Sequence, residues 1–441
     1  MDFAKRAHDH SFQIDPIVRS LLDTDFYKLL MGQFIYEHYP TTRVTFGLIN
    51  RTREVRLAEI IPESELRAQL DQVRSLRFRH NELIWIAGAT FYGKERMFRP
   101  AFIDFLRALR LPDYDLKVED GQYVLTFSGN WMEVTWWEIY ALAIISELKS
   151  RAGHRLRREL ELDFLYARAK TRLLAKLQQL KPLEGLALSE FGTRRRHSFL
   201  WQEWVVQALA EVLGEGFVGT SNAFLAFKYG LDAKGTNAHE LPMVQAALAP
   251  DNAALKASQY ELLRQWQNTY SGNLLVALPD TFGTTQFLKD APTWVALNWR
   301  GYRPDSKPPI EAGEEIIRWL QRNAVDPKTR FVLFSDGLDV AVPGQRVRGE
   351  DIPAIHRLFA GRIGLAYGWG TNATNDFRDC DPRGETVFDP LSLVCKVIAA
   401  DGQPAVKLSD NFNKATGPAA EIERYREVFG LDGVTGVPVL V

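Results

Sequence analysis

Residues 330–372 read RFVLFSDGLDVAVPGQRVRGEDIPAIHRLFAGRIGLAYGWGTN. Two short apolar runs, Arg330–Phe334 and Ile363–Tyr367, flank a stretch long enough for a loop and a helix. Each run passes directly into a polar, glycine-bearing turn: Ser335-Asp336-Gly337 after the first, Gly368-Trp369-Gly370-Thr371-Asn372 after the second. Strand, helix, strand with turn residues at the strand ends is the signature of a βα unit and a parallel sheet. The same texture reaches back to about Leu183. Further runs at Leu186–Phe191, Gly216–Gly219, Leu274–Leu278 and Trp294–Leu297 are mostly separated by helical stretches. The expected class is α/β, an irregular TIM-like barrel over residues 183–375. Polar and glycine motifs just after the strands are where barrels and open α/β sheets build their sites.

Upstream of the barrel the pattern differs. Arg43–Asn50 (RVTFGLIN) reads as a strand. Tyr114–Glu119 and Gln122–Phe127 read as a hairpin turning at Asp120-Gly121. Pro62–Leu76, Pro100–Leu109, Trp131–Lys149 and Leu160–Leu180 read as helices, Trp131–Lys149 carrying an amphipathic pattern. Residues 1–150 are expected to form an N-terminal α/β domain and 151–182 a connecting helix. Residues 376–441, which include a strand at Leu391–Ile398, are expected to pack back on the N-terminal domain and complete it with strands.

The whole chain excludes several classes. With 54 Lys and Arg against 55 Asp and Glu there is no global basic field for nucleic acid or an anionic membrane. Anionic ligands must be met by local clusters. Two cysteines, Cys380 and Cys395, do not make a disulfide framework and read as free thiols in a reducing cytosol. The opening MDFAKRAHDHSFQIDP lacks an apolar core, so no signal peptide is expected, and the longest apolar run, Ile139–Ile145, is too short to span a bilayer. The expected location is the cytoplasm.

Five clusters carry chemistry. Glu190-Phe191-Gly192-Thr193-Arg194-Arg195-Arg196-His197 follows a strand. Its guanidinium forks suit phosphate or carboxylate, and a solvated helix start is the other reading. Gly219-Thr220-Ser221-Asn222 and Gly235-Thr236-Asn237-Ala238-His239-Glu240 serve either as phosphate cradles or as ordinary helix caps. His239 as a nucleophile needs an orienting partner, and Glu240 points elsewhere on a helix. Asp280, in Leu278-Pro279-Asp280-Thr281, is either an N-cap for a helix Thr284–Lys289 or a ligand for ribose hydroxyls or Mg²⁺. Arg303 and Asp305 present a cation and an anion to one cleft. Gly370 and Thr371 stand where a barrel grips phosphate. There is no Walker A motif, dinucleotide fingerprint or zinc spacing.

In this order, Asp23-Thr24-Asp25-Phe26-Tyr27-Lys28, EFGTRRRHSF (190–199), VGTSN (218–222), KGTNAHE (234–240), RPDS (303–306), FSDGLD (334–339), GWGTN (368–372) and KLSD (407–410) resemble the nicotinate phosphoribosyltransferase family from Leu22 to Asp410. The resemblance implies a salvage enzyme that makes nicotinate mononucleotide and diphosphate from nicotinate and 5-phosphoribosyl 1-diphosphate. It implies a ligase coupled to ATP hydrolysis through a phosphohistidine, assisted by Mg²⁺ whose protein ligands stay unassigned. It also implies a homodimer in which one subunit completes the other's site. By position, His239 is the phosphorylated histidine, and Tyr27 and Phe191 are the aromatics that sandwich the pyridine. Thr236 contacts nicotinate, and Arg303 pairs with it. Asp280 and Asp305 lie near the ribose, Gly370 and Thr371 grip the 5-phosphate, and Arg194 with its neighbours faces the diphosphate. Nicotinamide-using relatives carry an aspartate where Ser221 stands here, so Ser221 favours nicotinate. Two stretches depart from the family pattern: Lys307-Pro308 replaces Gly-Asp, and LSDNFNK (408–414) replaces LSDSPGK. The rival readings are nicotinamide as substrate or no use of ATP, a non-catalytic phosphoribosyl diphosphate or nucleotide sensor, and an unrelated phosphate-binding barrel.

Overall fold

The computed structural model describes residues 12–436 and residue 439. Two larger sheets organise them. Their strands, in chain order, are β1 (Arg43–Asn50), β2 (Tyr114–Glu119), β3 (Gln122–Asn130), β4 (Leu188–Glu190), β5 (Phe217–Thr220), β6 (Val276–Ala277), β7 (Gly301–Tyr302), β8 (Phe331–Phe334), β9 (Gly364–Trp369), β10 (Leu393–Ala400) and β11 (Gln403–Pro404). The first sheet is antiparallel, in the order β11-β10-β1-β3-β2; the second is parallel, in the order β5-β4-β9-β8-β7-β6. The fold is mixed α/β.

The hairpin β2–β3 turns on Asp120 and Gly121, both left-handed at φ 49° and 74°. Two successive residues in that region make the mirror-image turn whose twist matches the flanking strands, hence an Asp-Gly pair.

The parallel sheet curls. Ser189 of β4, Val218 of β5, Val276 of β6, Phe331 and Leu333 of β8 and Ala366 of β9 line one cavity of about 280 Å³. Side chains from both edge strands, β5 and β6, can reach one small space only if the sheet wraps around it. The result is an irregular barrel with an open lumen, unlike a TIM barrel whose interior is filled by side chains.

Strand β10 returns to the N-terminal sheet and pairs antiparallel with β1, from Val44 opposite Ala400 to Asn50 opposite Leu393. Along β10, Leu393, Cys395 and Val397 are buried while Val394 and Lys396 alternate to the other face. That period of two turns Lys396 toward the barrel mouth.

Two local expectations change. The run Trp294–Leu297 is not a strand but lies in the helix Thr293–Asn298, and the parallel strand is the later β7. Pro292 supplies the fixed φ of the helix entry. Four apolar residues are too few for periodicity to separate helix from strand. Trp131–Lys149 is two helices, Trp131–Val134 and Trp137–His154. The second is buried on nearly every side rather than amphipathic, because the helix Glu63–Ser75, the strand β10 and the turn Thr193–Arg195 all pack against it. Among the described residues no helix is long and apolar enough to cross a membrane. Cys380 and Cys395 are free and buried. Residues 1–11 of the opening segment, read above as lacking a signal peptide, lie outside the described residues.

Candidate active site

The segment Asp23–Lys28 is a staple that ties the N-terminal helix Tyr27–His38 to the barrel loops. Asp23 accepts two hydrogen bonds from Arg196 at 2.7 Å and one from Asn222 Nδ2 at 2.8 Å. Asp25 accepts from the Ser221 hydroxyl at 2.7 Å and lies 3.5 Å from Arg194. Lys28, fully buried, bridges Glu138 at 2.7 Å and Glu240 at 2.5 Å. Breaking such buried pairs by removing one partner typically costs several kcal/mol, about 3–5. Between these anchors Tyr27 is left to face the barrel lumen.

There it meets the cavity inside the sheet. Besides the strand residues, its lining includes Asp25, Tyr27, Phe191, Arg194, Ser221, Thr236 and Arg303. Three aromatic rings, Tyr27, Phe191 and Phe331, two guanidinium groups and aliphatic side chains suit a flat anionic ring. Tyr27 and Phe191 reach this cavity from one and the same chain. Phe191 is seated by Gly368: a Cβ there would lie 2.3 Å from the Phe191 ring. Gly368→Ala is therefore expected to displace the ring and raise the KM for the cavity's ligand about tenfold, equivalent to about 1.4 kcal/mol. An unchanged KM would detach Phe191 from ligand binding.

A second chamber of about 170 Å³ opens above the first and shares Phe191, Arg194 and Arg303 with it. Its cations are Arg51, Arg194, Arg195, Arg303, Lys396, Lys407 and Lys414, against Asp305 and Asp336, and Gly370 and Thr371 form part of its wall. Burial, reinforced by Lys407 and Arg51, pushes the Lys396 ammonium well below its ordinary value. Burial, reinforced by Arg194 and Arg51, brings Arg195 down to about 10. Arg194, Arg303, Lys407 and Lys414 have carboxylate partners, whereas Arg51, Arg195 and Lys396 make no salt bridge among the described residues, and cations gathered without counter-charge are costly unless an anion joins them.

His239 stands on the wall of this chamber. Its Nδ1 lies 3.0 Å from the Thr281 hydroxyl. Its Nε2 lies 3.0 Å from Lys407 Nζ, 3.3 Å from Asp305 and 3.5 Å from Asp280. Burial lowers the imidazole to about 4, despite the opposing pull of Asp280. Burial would raise Asp305, but Arg303 and then His239 outweigh it and hold the carboxyl well below the usual range. Glu240 points away and binds Lys28 and Trp131 Nε1.

Two family models match this chain. The nicotinate phosphoribosyltransferase (NAPRTase) family matches residues 186–432, and the N-terminal domain of the same family matches residues 22–146.

The chain belongs to the nicotinate phosphoribosyltransferase family.

Solved structures agree. The Porphyromonas gingivalis nicotinate phosphoribosyltransferase is 29% identical with a TM-score of 0.80, over 94% of this chain and 100% of that one. The Vibrio cholerae enzyme is 28% identical with a TM-score of 0.81, over 96% of each chain. A protein described as a putative nicotinate phosphoribosyltransferase from Saccharomyces cerevisiae is 26% identical with a TM-score of 0.78, over 95% and 99%.

The family motifs gather around the two chambers, with some redistribution. The three arginines read together in the sequence diverge from the short 3-10 turn Thr193–Arg195. Arg194 faces both chambers. Arg195 lines the upper one and donates to Leu393 O at 3.0 Å, and Arg196 is a fully buried partner of Asp23. In Gly219–Asn222 the cap is Asn222, which accepts from Leu225 N–H, while Ser221 and Thr220 bond to Asp25 and Glu190. Lys307, at the first departure from the family pattern, turns away to Thr285 and Glu315 at 2.8 and 2.5 Å. Lys414, at the second, pairs with Asp336 in the chamber. Lys396, Arg51 and Lys407 were not singled out from the sequence. Only Lys407 had a signal there, as the first residue of KLSD.

Asp280 does not cap the helix Thr284–Asp290. Asp410 does, accepting from Thr284 N–H at 2.7 Å and from its hydroxyl at 2.6 Å. Burial, with Asp280 adding to it, pushes the Asp410 carboxyl up to about 7. The folded state thus favours protonated Asp410. That contribution is full below the ordinary value near 4 and is lost as pH rises through about 7. Asp410→Asn lacks this titration. Its unfolding free energy minus that of the wild type is expected to grow between about pH 4 and 7 and then level, measured by denaturant unfolding at each pH. A flat difference would show that Asp410 is ionised throughout.

No group of three or more His, Cys, Asp or Glu side chains is assembled to hold a metal among the described residues. Asp305 is engaged by Ser335 at 2.6 Å, and Asp280 by Ser306 at 2.7 Å.

Proposed function

We propose that this chain makes nicotinate mononucleotide and diphosphate from nicotinate and 5-phosphoribosyl 1-diphosphate, with ATP hydrolysis coupled through phosphorylation of His239. One observation carries the reading: two joined chambers, one aromatic and apolar with guanidinium groups, the other strongly cationic, meet at Phe191, Arg194 and Arg303.

Nicotinate takes the lumen cavity with its carboxylate toward Arg303 and Arg194. Asp25 also lines that cavity, but Ser221 and Arg194 hold its oxygens, so the local balance stays positive. This supports the acid over nicotinamide. The ribosyl diphosphate lies in the cationic chamber, its 5-phosphate at Gly370 and Thr371 and its diphosphate toward the lysines and Arg195. Breaking the C1–diphosphate bond leaves positive charge on the ribose and negative charge on the leaving group. Asp305, on the chamber wall, would face the first, Arg195, Lys396 and Lys414 would face the second, and Asp280, buried behind Lys407, would act through that lysine. The ring nitrogen of nicotinate carries a free lone pair, so orientation suffices and no general base is required. With no dedicated metal cage, Mg²⁺ is read as arriving on the diphosphate oxygens, as it does when phosphates and water supply most of its ligands.

The protein is further proposed to be a cytoplasmic homodimer. Since Tyr27 and Phe191 come from one chain, a partner subunit would contribute at the open mouth of the cationic chamber.

The test is an assay of purified protein with Mg²⁺ and phosphoribosyl diphosphate, nicotinate or nicotinamide, with and without ATP. Preferential product from nicotinate, stimulated by ATP, is expected. Product from nicotinamide instead moves the chain to the sister activity, and no product from either favours the sensor reading.

A further inference from the structure

His239 Nε2 is surrounded by two carboxylates and one ammonium, and their geometry conflicts until the proton is placed. A lysine ammonium has three N–H donors and no acceptor. Lys407 Nζ sits 3.0 Å from Nε2, so Nε2 accepts and carries the lone pair. Nδ1 then carries the proton and donates to the Thr281 hydroxyl at 3.0 Å. Lys407 is held there by Asp280 Oδ2 at 3.1 Å. Asp280 Oδ1 is buried, bonded to nothing, and 3.5 Å from the same Nε2. With Lys407 gone, that orphan oxygen and Asp305 Oδ2 at 3.3 Å would both draw a proton onto Nε2.

We propose that Lys407 is a positioning residue that keeps His239 in the neutral Nδ1–H form, with the Nε2 lone pair as the atom that accepts the phosphoryl group. The role of that lone pair rests on the phosphohistidine reading above; the placement of the proton does not. The groups facing the imidazole are Asp280 and Thr281 from the turn after β6, Asp305 from the turn after β7 and Lys407 after β11.

In the step itself, the Nε2 lone pair attacks the terminal phosphorus of ATP. The N–P bond forms, the bridging P–O bond breaks, and ADP leaves with that electron pair. The Nδ1 proton stays on the ring, bonded to Thr281, so no base is needed. Lys407 gives up the lone pair to the incoming phosphorus and can turn its N–H groups to the phosphoryl oxygens. A lysine-free site would hold the Nε2–H tautomer, with no lone pair at Nε2.

The experiment uses full-length protein labelled with ¹⁵N-histidine, with the His239→Asn spectrum assigning the His239 signals by difference. In the wild type at pH 7, the long-range ¹H–¹⁵N pattern of a neutral Nδ1–H imidazole is expected. In Lys407→Met, the pattern of a neutral Nε2–H imidazole is expected at pH 7, the proton drawn to the side of Asp280 and Asp305. Lys407→Arg, which restores a charged donor, is expected to return the Nδ1–H tautomer. A wild-type imidazole already protonated at Nε2, or a Lys407→Met spectrum like the wild type, overturns the inference. Incubation with γ-labelled ATP adds a second readout. In Lys407→Met, an imidazole held about nine-tenths as the Nε2–H tautomer lowers the labelling rate about tenfold. Label on Nδ1 instead of Nε2 also overturns the inference. The expected nitrogen spectra with no label in the wild type would support the proton placement and overturn the phosphohistidine reading instead.

Discussion

Arg303→Ala is expected to lower kcat/KM for nicotinate by about 100-fold or more. Arg303 is shared by the two chambers and has a buried donor left over. Its terminal nitrogens are used: one donates to Asn237 O at 2.9 Å, the other lies 3.7 Å from Asp305. Its Nε is buried with no partner. A buried guanidinium N–H without an acceptor is a cost unless a ligand supplies one, and a pyridine carboxylate in the lumen cavity is an acceptor of the right charge. A charge-assisted hydrogen bond to a buried carboxylate contributes about 3 kcal/mol, which corresponds to more than 100-fold. If the carboxylate is held equally before and during the reaction, the loss falls on KM; if the ring is also mispositioned, kcat falls too. Lysine in place of Arg303 is expected to recover little, because its point charge cannot reproduce the fork that spans Asn237 O and the ligand. Steady-state kinetics on both variants check this, and wild-type kcat/KM in Arg303→Ala would remove the residue from the nicotinate site.

His239→Ala is expected to abolish phosphoprotein formation from ATP and with it the stimulation of turnover by ATP, leaving ATP-independent synthesis. The imidazole is held by Thr281 and faced by Lys407 and Asp305, none of which can replace it as a nucleophile under these conditions. The fold should survive, since Asp280 still partners Lys407 at 3.1 Å and Ser306 at 2.7 Å. Acid-labile label retained on the variant would place the phosphoryl group elsewhere. ATP stimulation retained without label would mean that ATP acts by binding alone. This result concerns phosphoryl transfer from ATP and the Arg303 result concerns nicotinate binding, so either reading can fail without the other.

Much of the site was legible because motif positions follow strand ends. Phe191, Ser221, Arg303, Gly370 and Thr371 each come just after a parallel strand, and in a parallel sheet all such positions lie at one end. The Asp-Gly hairpin and the strand Arg43–Asn50 were legible for local reasons: turn chemistry and β-branched alternation depend on neighbours in sequence. Trp294–Leu297 was misread because a four-residue apolar run carries no usable period. The three arginines were read as one anion cluster because adjacency says nothing about direction. One 3-10 turn sends Arg196 into the core and leaves Arg194 on the wall of the two chambers.

By itself the sequence determined the mixed α/β class, the family, and the side of the barrel on which the chemistry gathers, since all of these follow from short-range pattern and motif order. Only the tertiary structure decided which partners those residues meet. The β10 strand had to fold back onto β1 before Lys396, Lys407 and Lys414 could reach the chamber. Asp410 had to come from 126 residues away to cap the helix that Asp280 precedes. The surroundings of His239 combine burial with an ammonium and two carboxylates from three separate loops. Charge interactions act through space and change with burial, and a chain's local pattern encodes neither the distances nor the burial that set them.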